Sequence, residues 1–143
     1  IELFEQFPAG SMTPELMQRA GSLSLVEVTD GGRVRVRDRR FVDTGAALAH
    51  LGVPLDVILD EWEALVHHTD EIATRFVDLF EAHLAPSDWR DDLDTERARR
   101  LAHTLAELQC MAKQVLASAL DTSLARLGRE RLGVLLSGID DTP

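Results

Sequence analysis

The stretch from Val26 to Leu65, VEVTDGGRVRVRDRRFVDTGAALAHLGVPLDVILDEWEAL, constrains the fold more than any other part of the chain, because it sets a hairpin directly ahead of two helices divided by a corner. Val26 and Val28, then Val34 and Val36, alternate with polar or charged residues, the period of a half-buried strand. Asp30-Gly31-Gly32 between the two runs supplies the positive-φ positions a tight hairpin needs. Asp38 or Asp43 is placed to cap the next helix, which carries Phe41, Val42, Ala46, Leu48, Ala49 and Leu51 before Gly52 stops it. Pro54 then suits the first turn of a following helix.

The remaining sequence reads as helix. Pro54 to Leu84 carries Ile58, Trp62, Leu65, Ile72, Phe76, Leu79 and His83 at spacings of three, four and seven, an amphipathic stripe. The polar stretch Ala85-Pro86-Ser87-Asp88-Trp89-Arg90-Asp91-Asp92 ends that helix and starts another. From Thr95 to about Leu127 the pattern repeats with Leu101, Leu105, Leu108, Met111, Val115, Leu120, Leu124 and Leu127. Gly128 is expected to interrupt it, leaving a short helix from Arg131 to Leu136 and a tail at Gly138-Ile139-Asp140-Asp141. The expected fold is therefore mainly α: a small module of two helices, a β-hairpin and a helix over residues 1–53, followed by long antiparallel helices over 54–143. Val77, Phe80 and Leu84 widen the apolar face of the first long helix, so a dimer interface or packing by the terminal helix is implied.

These elements carry a resemblance. Gly32-Arg33-Val34-Arg35-Val36 in a hairpin, then a helix closing in Leu51-Gly52-Val53-Pro54-Leu55, then Val57-Ile58-Leu59 and Leu65, resembles MerR-type transcription regulators, in which a winged-helix domain leads into a dimerising helix. Glu2 to Phe7 and Thr13 to Ala20 stand where the two helices of the helix-turn-helix would be, and the resemblance covers about residues 1 to 84. The family's DNA-reading helix carries an arginine followed by aromatic residues; here the same place holds Arg19-Ala20-Gly21-Ser22-Leu23, and the chain has no tyrosine. The chain thus resembles the downstream part of those regulators, a degenerate winged-helix-like module followed by long helices, and Ile1 at its start fits a fragment. The resemblance implies a cytoplasmic homodimer that binds a small apolar effector, with DNA contacted through a preceding domain.

Charge and composition point the same way. A net charge of −10 opposes contact with phosphate backbones and acidic membranes. A single cysteine excludes an internal disulfide framework, and no apolar run approaches the ~18 residues a spanning helix needs. Neither a membrane partner nor a signal peptide is expected. Within this acidic chain Arg33, Arg35 and Arg37 share one side of a strand, with Arg39 and Arg40 just beyond. In a working winged helix such arginines contact phosphates. The alternative is a solvated hairpin face whose arginines pair with Glu27, Asp38 and Asp43 or with the missing domain.

Cys110 with His67, His68, His83 and His103 does not make a metal motif: His67 and His83 are about 24 Å apart on a helix, and one cysteine cannot supply paired thiolates. Cys110 is expected to be a buried thiol, and no cofactor is expected. Asp60, Glu61, Glu63, Asp70 and Glu71 read as a solvated face, and no nucleophile elbow, zinc-protease, phosphate-loop or dinucleotide motif occurs, so no catalytic residue is assigned. The aromatic set is more suggestive. Trp62, Phe76, Phe80 and Trp89, with Cys110 and Met111 on the second long helix, are candidates to line an apolar cavity among the helices, against the plainer reading of ordinary core. The function expected is effector binding and dimerisation in a MerR-type regulator. Its rivals are a DNA-binding winged helix using Arg33 to Arg40, a purely structural dimerisation domain, and a small helical enzyme.

Overall fold

The computed structural model describes residues 3–91 and 94–140, with side chains over 5–91 and 94–133. The chain is mainly helical, 72% helix, with a small antiparallel hairpin. A 3₁₀ turn, Leu3–Gln6, is followed by α1 (Pro14–Ser22), β1 (Val26–Val28), β2 (Val34–Val36), α2 (Arg39–His50), α3 (Leu55–Leu79) with a π-helical turn over Phe80–Leu84, and α4 (Thr95–Asp140). Two compact units divide at Glu71–Ile72, inside α3. The expected boundary lay at 53–54. It moves because Leu55, Ile58, Leu59 and Trp62, the first turns of α3, pack on the hairpin module and belong to its core.

Local chemistry explains each element of the first unit. Thr13 caps α1 by accepting the Leu16 N–H at 3.3 Å, and Pro14 fills the first helical position. In the hairpin Val26 pairs with Val36 and Val28 with Val34, and the turn closes through Gly32 N–H to the Thr29 carbonyl at 2.8 Å, with Gly32 at φ +70°. Only one end of that hairpin is core: Val26 is buried and Val28 is 64% exposed. Asp38, rather than Asp43, caps α2 through the Arg40 N–H at 2.9 Å. At the other end Gly52, φ +97°, turns the chain while its N–H bonds to Ala49 and that of Val53 to Leu48, a Schellman close with Leu48 and Val53 both packed on the core.

The upstream segment differs from expectation. Only a 3₁₀ turn forms at Leu3–Gln6 where a helix was expected, since Pro8 and Gly10 (φ +76°) leave too few residues to propagate one. It is tied down by Phe7, buried in the core, and by His50 Nε2 donating to the Gln6 carbonyl at 2.9 Å. Glu2, Asp92 and Asp141 lie outside the described residues.

The second unit is built differently. Phe80, in the π turn, and Leu108, on α4, are its buried apolar side chains among the described residues. The Ala85 N–H reaches the Phe80 carbonyl at 2.8 Å, the bond that defines the wide turn. α4 is not broken at Gly128 and no separate terminal helix forms: the helix runs unbroken from Thr95 to Asp140. A glycine costs about 1 kcal/mol against alanine in a helix, too little to stop one flanked by good helix formers. Arg126 and Glu130, paired at 3.4 Å, bridge it by one turn.

Candidate functional site

In the first unit Trp62, half-buried on α3, meets Phe41 of α2 edge to face, with ring centroids 5.8 Å apart at 80°. On its inner side lies an apolar void of about 50 Å³ lined by Phe7, Met12, Met17, Gly45, Ile58 and neighbours. On its outer side an open groove of about 290 Å³ runs between Asp38, Arg40, Phe41, Thr44, Trp62 and Leu65. Trp62 is a wall of both. Gly45 is buried in α2, and a methyl added there would stand 3.8 Å from Ile58 Cγ2 and 3.9 Å from both Phe7 Cε1 and Trp62 Nε1, ordinary contact distances.

The other five aromatic and sulfur candidates stand in the second unit and do not line this void. Phe80 is buried and Phe76 half-buried on the last turns before and in the π turn. Trp89 lines a separate cleft of about 270 Å³ with Leu84, Pro86, Arg97, Arg100 and Leu101. The Arg90 guanidinium lies 5.0 Å from the Trp89 ring centroid and pairs with Glu81 at 2.5 Å. Cys110 and Met111 are exposed, Met111 at 52%. The expected buried thiol is therefore corrected: Cys110 stands on an uncovered face of α4, with Gln114 Nε2 3.9 Å from its sulfur.

The basic edge is mostly spent on its own carboxylates. Arg37 donates to Glu27 through Nε at 2.7 Å, Arg40 pairs with Asp38 at 2.6 Å, and Arg39 reaches Asp43 at 3.8 Å. The Arg40 guanidinium and N–H hold the Asp38 carboxyl below its usual 3.8. Arg33 and Arg35 have no ion pair among the described residues. Arg19, at the reading-helix position, is bonded to Asp60, to Glu63 at 3.0 Å and to the Asp56 carbonyl at 3.3 Å, so hydrogen bonds to Asp60 and Glu63 raise its pKa further above the usual arginine value.

A long uncovered face completes the inventory. On α4, Met111, Val115, Leu116, Leu120, Leu124, Leu127 and Leu132 are all exposed. Only Asp121 is charged between Gln114 and Ala125. No described helix is long and apolar enough to cross a membrane.

Sequence reasoning missed Gly45, Phe41, Met12 and Met17 as neighbours of Trp62. A glycine in mid-helix was a visible signal; the neighbours were not, because three elements bring them together. Comparison with family models, curated proteins and solved structures finds no match for this chain.

Proposed function

We propose that this chain is the effector-binding and dimerisation part of a MerR-type bacterial transcription regulator, with DNA contacted through a preceding domain. The observation that carries the reading is the apolar face of α4. Seven large aliphatic or thioether side chains from Met111 to Leu132 stand in solvent. Monomeric soluble proteins seldom leave so continuous an apolar strip uncovered, and near-absence of charge from Gln114 to Ala125 argues against a solvated face. Leu116, Leu120, Leu124 and Leu127, spaced by four, four and three, suit a seam between two copies of one helix. The winged-helix-like module fits a non-reading role: Arg19 and three of the five arginines between Arg33 and Arg40 are engaged by the chain's own carboxylates, and net charge is −10.

Sedimentation equilibrium is the test. The native chain is expected to be a dimer at micromolar concentration, and the double variant Leu120→Glu, Leu124→Glu to weaken association by about a hundredfold or more, since each buried leucine contributes about 1.5 to 3 kcal/mol. A native chain that stays monomeric overturns the proposal. A purely structural dimerisation domain is favoured by one observation, the small volume of the void beside Trp62, about 50 Å³.

A further inference from the structure

Arginines crowd the start of α4, and carboxylates answer all but one of them. Arg90 pairs with Glu81 at 2.5 Å, Arg97 stands 4.0 Å from Asp88, and Arg99 stands 3.5 Å from Glu96. Arg100 has no ion pair among the described residues. That same side chain lines the cleft of about 270 Å³ in the second unit, with Arg97, Leu101 and Thr104 from one face of α4 and with Leu84 and Trp89 from the segment before it. Asp88 is the cleft's carboxylate, so two cations and one anion leave the lining at +1 in a chain of net charge −10. The positive charge on offer is a guanidinium and not a helix end, because Asp94 already caps α4 by accepting the Arg97 N–H at 2.8 Å. Thr104 adds a second polar group. Thr69 and Thr122 bond to carbonyls one turn back along their helices at 2.9 and 3.0 Å, whereas the half-buried Thr104 makes no such bond and keeps its hydroxyl available at the cleft. Leu84 closes the π turn, a rare winding that recurs at functional sites.

We propose that this cleft binds a small planar aromatic monocarboxylate, its ring against Trp89 and its carboxylate on Arg100. This rests on the effector reading above and gives the effector a site and a charge. Leu84, Trp89 and Leu101 accept the apolar ring, and the indole and guanidinium planes both favour a flat partner. The Arg100 guanidinium offers the paired N–H donors that match a carboxylate, and the Thr104 hydroxyl is a further donor on the same helix face. One negative charge balances the lining. A second would stand against Asp88 with no cation left to meet it. Size is met without rearrangement: about 270 Å³ exceeds the ~150 Å³ that holds a benzene ring and approaches the ~300 Å³ at which small-molecule pockets begin.

The probes are 2-naphthoate, its uncharged isostere 2-naphthamide, and inorganic phosphate as an anion without a ring. With the full chain labelled in nitrogen-15 at low ionic strength, titration is followed at the two indole N–H resonances, assigned through Trp89→Phe. 2-Naphthoate is expected to move the Trp89 resonance saturably, and 2-naphthamide and phosphate each to bind about tenfold more weakly or less well still, for want of the charge-assisted hydrogen bonds and of the ring respectively. Arg100→Gln, an exposed substitution that leaves α4 intact, should weaken 2-naphthoate about tenfold and abolish its advantage over the amide. Arg99→Gln, next to it but outside the cleft, should bind as the native chain does. Equal binding of 2-naphthoate by native and Arg100→Gln chains overturns the site, and phosphate binding as tightly as 2-naphthoate overturns the ligand class. A shift at Trp62 alone overturns the site while leaving an effector role standing elsewhere. A response from neither tryptophan up to the solubility limit overturns it without touching dimerisation, which sedimentation decides independently.

Discussion

The two halves of this chain use similar residues to opposite ends. In residues 1–71, short elements from distant parts of the sequence bury Phe7, Val26, Val42, Ile58 and Leu59 in two adjoining clusters, and Arg19 on α1 is bonded to carboxylates on α3. In residues 72–143, Phe80 and Leu108 are buried while Leu120, Leu124 and Leu132 on α4 are more than half exposed. Apolar content is not the difference. A helix stripe becomes core only where the topology supplies a partner, and along most of α4 the chain supplies none among its described residues. The first unit holds core clusters of its own, and under the proposed dimerisation the second is the part whose stability would depend on association.

That contrast can be broken most directly at α4. If Leu120→Glu with Leu124→Glu weakens association as expected, thermal unfolding of the native chain should also show a phase whose midpoint rises with protein concentration, absent from the double variant. Ile58→Ala comes next. Ile58 is 3% exposed among α2, α3 and Phe7, and its truncation should destabilise the first unit by about 2 to 5 kcal/mol in urea unfolding followed by Trp62 emission. Sedimentation should be unchanged at concentrations where the variant remains folded. Gly128→Ala has a smaller expected effect, about 1 kcal/mol in favour of α4, read as increased helicity; a Cβ there meets nothing within 4 Å. The smallest concerns Asp38. Its carboxyl is held below 3.8 in the folded chain, so the stability it contributes is present above that value and is lost as pH falls through the lower folded value. An acid titration of the native chain should therefore show a slightly steeper loss of helix below pH 3.8 than Asp38→Asn does, confined to the first unit.

Much of this was legible in the residues because the signals were local. Asp30-Gly31-Gly32 fixes a hairpin, Asp38 a helix start and Gly52 a helix end, each through backbone chemistry within a few residues. The same local logic failed at Gly128, where propagation along a long helix outweighs one unfavourable residue, and at Leu3–Gln6, where apolar spacing suggested more helix than Pro8 allows. The aromatic candidates were half legible. Trp62 does border a void, but its neighbours come from α1, α2 and the segment before α1, an assembly no period in the sequence announces. Periodicity grouped Met111 and Cys110 with the aromatics as interior, whereas they are exposed. Periodicity identifies a face and is silent on what covers it.

The uninterrupted α4 has a consequence for measurement of distance by the molecule itself. Forty-six residues at 1.5 Å each make a rod about 69 Å long, roughly two turns of B-form DNA. Under the proposed dimerisation, two such rods joined side by side would set the spacing of whatever each carries, and a slip of one helical turn between them would change that spacing by about 5.4 Å. Such a pair would be a vernier: its graduations the exposed leucines, its setting the register in which they engaged.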